Sequence, residues 1–207
     1  MGEGSDFALL DAWATGDRAA AQVLFARHFD AVYRFFRNKS GEHLEDLVQD
    51  TFVACIEARE RFRRDASFRT FLFATARNVL CSWYRKRRKT TDPLDFERVG
   101  LSQLSETPSK IIARKEEQRV LLEALRLLPL DYQIALELYH WEGMTGPELT
   151  RVLGLSEPAV RSRLHRAKLE LRRQIDRIEA SDEVLRSTLL NLEKWARSLR
   201  DVVATRA

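Results

Sequence analysis

Apolar residues recur along this chain at helical spacing. Near the start, Phe7, Leu10 and Trp13 and then Val23, Leu24, Phe29, Val32, Phe35 and Phe36 predict two helices, with Thr15-Gly16-Asp17 as the turn and cap between them. Asn38-Lys39-Ser40-Gly41 interrupts the pattern. From Leu44 a third helix buries Leu44, Leu47, Val48, Thr51, Phe52 and Cys55. A fourth, from Phe68, buries Phe68, Phe71, Leu72, Thr75, Ala76, Val79 and Trp83.

The pattern lapses between residues 90 and 115, where Pro93, Gly100, Pro108 and several Ser and Thr residues read as a flexible linker. It resumes with Val120, Leu121, Ala124, Leu125 and Leu128, then Ile134, Ala135, Leu138 and Trp141, with Pro129 breaking the helix between them. In TGPELTRVLGLSEPAVRSRLHRAKLELRR, Thr145 with Glu148 fits a capping box, Gly154 marks a tight turn, and Ser156 caps a second helix. That is a helix-turn-helix. Beyond Gln174, Leu185, Leu189, Leu192, Ala196, Leu199 and Val203 predict an amphipathic C-terminal helix. The expected fold is therefore all-α: a helical domain over 1–89, a linker over 90–115, a helix-turn-helix domain over 116–173 and a helical extension over 174–207.

Charge divides these domains by task. The window Arg61–Lys89 holds ten basic residues against the single acid Asp65, a net +9 in a chain whose total is +4. Aromatics are interleaved with those charges, and cations with aromatic faces suit unstacked bases better than an intact duplex. Phe73, Arg77 and Tyr84 lie off the fourth helix's core stripe and are candidates for that contact. Residues 1–60 balance the window with a net −5, and the third helix sets Asp46, Gln49, Asp50, Val53 and Glu57 on one outer face. Such a face is kept from DNA and fits a protein partner with a basic groove.

The second helix of a helix-turn-helix enters the major groove. With Val160, Leu164 and Ala167 inward, Arg161, Ser162 and His165 point outward, surrounded by Arg163, Arg166 and Lys168. The stretch from Arg151 to Arg173 has a net charge of +5. Duplex DNA is the expected ligand.

Taken together, EDLVQDTF, FRRDASFRTFLFATARNVL and LGLSEPAVRSRLHRAKLELRR resemble, in the expected order, the conserved regions of bacterial RNA polymerase sigma factors of the sigma-70 family, extracytoplasmic-function group. The resemblance covers about Ala19 to Arg173. It implies that the face of Asp46, Gln49 and Asp50 binds the clamp helices of core polymerase. It also implies that the loop Arg63, Arg64, Asp65, Ala66 and Ser67, with Asn78, captures a minus-ten base, and that Arg161, Ser162, His165 and Arg166 read the minus-thirty-five element. Core polymerase and promoter DNA are the implied partners, and the family admits an anti-sigma protein. Two features depart from the pattern: Gly146-Pro147 replaces an aromatic and acidic pair, and the extension outruns the minimal plan.

Other classes find less support. Cys55 and Cys81 form no metal-ligand pair, and no phosphate-binding loop or catalytic motif occurs, so neither an enzyme nor a cofactor or metal site is expected. No apolar run approaches the roughly 20 residues of a membrane span, which predicts a cytoplasmic protein. The rival is a free-standing helix-turn-helix regulator of duplex operators, which has no need for the aromatic and basic stretch at Arg61 to Lys89.

Overall fold

The computed structural model describes residues 3–59, 62, 66–88, 116–178 and 186. The linker over 90–115 and all of the extension beyond Ile178 except Arg186 therefore lie outside the described residues. Eight α-helices and one short 3-10 turn make up the described secondary structure, without strands.

In the first module, α1 spans Glu3–Ala14 and α2 spans Arg18–Arg37. Gly16 takes a φ of +104° to reverse the chain, and the Asp17 carboxylate accepts hydrogen bonds from the backbone N–H groups of Ala19 and Ala20 at 2.8 and 3.1 Å. This is the expected turn and cap, satisfying donors that the first turn of a helix leaves unpaired. A 3-10 turn at Gly41–His43 leads into α3, Leu44–Glu57, and α4 spans Phe68–Arg88. Leu24, Val32, Phe36, Leu47, Cys55, Phe68 and Leu72 meet in the core between them.

The second module comprises α5 (Glu116–Leu127), α6 (Leu130–His140), α7 (Gly146–Leu153) and α8 (Glu157–Ile175). The capping box of Thr145 and Glu148 is present at the start of α7, and Gly154 ends that helix at φ +67°, a left-handed conformation that a side chain would strain. Ser156 occupies the cap position of α8 with extended backbone, but its side chain makes no capping bond, contrary to expectation. Proline in the first turn of α8 already fits a position whose N–H has no helical partner.

α6 is buried almost all round: Leu130, Asp131, Gln133, Ile134, Ala135, Leu136, Glu137 and Leu138 are all inaccessible. One side joins Val120, Leu121, Leu125 and Trp141 in the second module's own core. The other side, with Met144, Leu149, Val152 and Val160, continues the core of the first module. The two modules thus share one apolar cluster, closed along α4 and α7.

Candidate functional site: the polar seam and the two exposed faces

The seam between the modules is lined with complementary charge. The first module supplies cations and the second anions. Lys39, which follows α2, is fully buried, and its ammonium donates to the Phe35 carbonyl at 2.6 Å and to the Glu137 carboxylate. Arg34 forms a two-pronged pair with Glu142 at 3.1 and 3.2 Å, and Arg69 adds a contact to the same carboxylate at 3.0 Å. Arg77 reaches Asp131 at 2.7 Å from one module, while Arg163 reaches it at 3.3 Å from within the other. The Tyr84 hydroxyl donates to the Lys39 carbonyl.

Desolvation governs ionisation here, because a buried charge loses its water. It lowers the pKa of Lys39 and raises that of Glu137, each effect partly offset by the other's charge and hydrogen bond. Burial also pushes the Tyr84 hydroxyl up, so it stays a neutral donor. Burial holds the Cys55 thiol at about 12 and raises that of Cys81, which leaves both as unreactive thiols.

This arrangement corrects the expected outer face of α4. Phe73 and Tyr84 are buried, at 0% and 1% exposure, and Arg77 is engaged with Asp131. Of the stripe that helical periodicity predicted as buried, Phe68, Leu72 and Ala76 are buried, whereas Phe71, Thr75, Val79 and Trp83 are only half-buried. Periodicity could not show that a second stripe, with Phe73, Leu80, Cys81 and Tyr84, is buried as well, Phe73 meeting the Phe35 ring edge-on and Tyr84 bonding the Lys39 carbonyl. Asn78 remains exposed, and Ala66 and Ser67 are half-buried, with Ser67 Oγ accepting from the Thr70 N–H at 3.2 Å. Arg63, Arg64 and Asp65 lie outside the described residues.

The face of α3 emerges as expected. Asp46, Gln49, Asp50, Val53 and Glu57 are all exposed, above a buried stripe of Leu47, Val48, Thr51 and Cys55.

On α8, Arg161, Ser162, His165 and Arg166 are exposed, and Lys168 is half-buried with its ammonium 5.7 Å from the Tyr139 ring centre. Arg163 departs from expectation: only 3% exposed and paired with Asp131, it belongs to the module's interior. Three residues after Val160 along a helix, it falls on the inward side, where the acid on α6 holds its charge. The recognition face is thus narrower than the run of arginines suggests.

The comparisons match this division of the molecule. The family profile "Sigma-70 region 2" matches residues 24–90, and "Sigma-70, region 4" matches residues 118–171. The RNA polymerase sigma factor CnrH of Cupriavidus metallidurans is 31% identical over 183 residues, covering 84% of this chain and 96% of its own. The chain belongs to the sigma-70 family of RNA polymerase sigma factors. The sigma factor YlaC of Bacillus subtilis is 28% identical, covering 81% of this chain and 98% of its own. Among solved structures, CnrH in complex with the cytosolic domain of CnrY aligns with a TM-score of 0.58 at 28% identity, over 83% of this chain and 97% of that one. Relatives of the extracytoplasmic-function group place this sigma factor with the alternative sigma factors of transcription initiation. The successive region 2 and region 4 matches do not favour the free-standing regulator.

Arg34, Lys39, Arg69, Asp131, Glu137 and Glu142 are the seam residues that sequence reasoning missed. The available signal was three acids and a glutamine, Asp131, Gln133, Glu137 and Glu142, in or just after a helix otherwise as apolar as a core helix. Among the described residues, no helix is long and apolar enough to cross a membrane, and no cluster of residues could hold a metal ion.

Proposed function

We propose that this sigma factor docks on core RNA polymerase through the exposed α3 face of Asp46, Gln49, Asp50, Val53 and Glu57. It reads the minus-thirty-five duplex through Arg161, Ser162, His165, Arg166 and Lys168, while Arg163 braces the reading helix from inside. The loop from Arg63 to Ser67, with Asn78, takes an unstacked minus-ten base. Phe73, Arg77 and Tyr84 join that contact only after the modules part, since the closed form covers them.

The observation that carries this reading is the opposite charge of the two outward faces. An acidic patch stays exposed on α3, while the basic face of α8 is open to solvent. The acidic face is repelled by phosphates and the basic one attracted, so a single chain can bridge a protein and a promoter. Extruding a base costs a few kcal/mol, and aromatic stacking returns roughly 1–3 kcal/mol, so base capture aids opening without nucleotide hydrolysis. On this reading the protein acts in the cytoplasm, as a specificity subunit and not as an enzyme.

The test mixes the chain with core polymerase and a promoter duplex and follows strand opening by permanganate reactivity. Opening that is lost in an Asp46→Ala, Gln49→Ala, Asp50→Ala triple variant supports the reading. Equal opening by that variant refutes the α3 assignment, and duplex binding without any polymerase complex refutes the whole.

A further inference from the structure

An apolar groove opens between α2 and α3. It is lined by Phe25, Phe29, Tyr33, Phe52, Val53 and Ile56 and encloses about 640 Å³. Val53 and Ile56 are 45% and 49% exposed at its mouth. Glu45 lines it, and the exposed Asp46, Asp50 and Glu57 stand on the same helix, so an apolar trough runs beside an acidic edge.

The chain carries a segment of matching chemistry. From Leu185 to Val203 there are four basic residues (Arg186, Lys194, Arg197 and Arg200) against two acids (Glu193 and Asp201), a net +2. Its leucines recur at helical spacing, and a helix from 185 to 203 would run about 28 Å, enough to lie along the whole of α3. An opening in the second module, among Leu121, Leu125, Leu136, Trp141 and Leu171, encloses only about 20 Å³, too little for such a segment. The opening beside Trp13 and Phe62 carries Arg59 and repels a cationic helix.

We propose that residues 185–203 of this same chain seat their leucine face in the α2–α3 groove, with their basic residues against the acidic edge. The segment then covers Gln49 and Val53 and competes with core polymerase for them. The competition rests on the polymerase assignment made above; the docking does not.

The docking is tested in the full-length chain by cysteines placed at Ile56 and Leu192 and joined with a short bis-maleimide. The native thiols interfere little, since Cys55 and Cys81 are buried and their pKa values are raised. An intramolecular cross-link, lost when Leu189→Asp is added, is the expected result. No cross-link, as when a separate protein is the natural occupant, overturns the proposal. A cross-linked dimer overturns it in favour of a second copy.

Competition is tested by titrating core polymerase with the full-length Leu189→Asp, Leu192→Asp variant, which should bind about tenfold or more tightly than the unchanged chain. Equal affinity with the cross-link intact refutes competition while docking stands. Failure of both proteins to bind polymerase refutes the polymerase reading and leaves the cross-linking result to decide the docking.

Discussion

Replacing Lys39 with methionine strands Glu137 in the seam. That carboxylate is 3% exposed, and apart from the Lys39 ammonium it keeps a 2.8 Å hydrogen bond from the Gln133 amide. Removing one partner of a buried ion pair costs about 3–5 kcal/mol, because the other charge is left without compensation. The fold has two ways to relieve the charge. Glu137 can take up a proton, or the modules can separate and let it meet water. At about 1.4 kcal/mol per factor of ten, the full penalty shifts the ratio of open to closed chain by two to nearly four orders of magnitude.

Small-angle scattering and the affinity for a fluorescent single-stranded minus-ten oligonucleotide report the outcome. Lys39→Met should expand the molecule and tighten oligonucleotide binding, because Phe73, Arg77 and Tyr84 are uncovered. The Lys39→Met, Glu137→Leu double variant should close again, since apolar replacement of a whole buried pair is neutral or stabilising by about 1–4 kcal/mol. The sign of the pH effect follows from Glu137. Burial already raises its pKa in the fold, and losing Lys39 removes the main influence that lowers it. A raised carboxyl pKa favours the closed form at acid pH and loses that contribution as pH rises, so the variant should close progressively on acidification. A Lys39→Met protein with unchanged size and affinity, or a double variant that behaves like the single one, would refute the reasoning.

Further predictions follow from the exposed faces and from one buried histidine. Arg161→Ala and Arg166→Ala should each weaken duplex binding and lower the salt slope by about one unit, whereas Arg163→Ala should lower the melting temperature instead, because it strands part of the charge on Asp131. The Asp46, Gln49 and Asp50 triple alanine variant should melt like the parent while losing polymerase affinity, since all three side chains are exposed. His28 hydrogen-bonds Asp6 at 2.7 Å, and burial lowers its pKa from 6.5, so its neutral form belongs to the fold. Stability should therefore fall as pH drops below about 6.5, where the unfolded chain gains a proton first. Thermal melts from pH 8 to 5.5 should show that slope, and His28→Gln should flatten it.

How far the sequence could be read depends on whether a residue's partner lies on its own element. The caps at Asp17 and Thr145, the turn at Gly154 and the buried stripe of α5 follow from local spacing and appear as expected, as do Leu47, Val48, Thr51 and Cys55 of α3, whose Leu44 and Phe52 are only half-buried. The outward set on α3 was legible for the same reason, because a helix that buries Leu47, Thr51 and Cys55 must turn Asp46, Gln49 and Asp50 away. Phe73 and Tyr84 were misplaced because their partners lie on another stretch of the chain, the Phe35 ring against Phe73 and the Lys39 carbonyl under the Tyr84 hydroxyl. Arg163 carried the same charge as its neighbours, and only its pairing with Asp131 sets it apart. Lys39 read only as part of a break after α2, and nothing in the neighbouring sequence shows that Glu137 waits 98 residues away.

The central claim is that a chain with its modules closed in solution opens on polymerase to read a promoter. Its most direct test is the distance between dyes attached through cysteines placed at the exposed positions Glu45 and Arg172, measured in the free protein, on core polymerase and on a promoter complex. A single short distance in the free protein that lengthens on polymerase and stays long in the promoter complex is the predicted result. The same short distance in all three, with the promoter opened, would contradict the account, because the covered residues of α4 would then play no part.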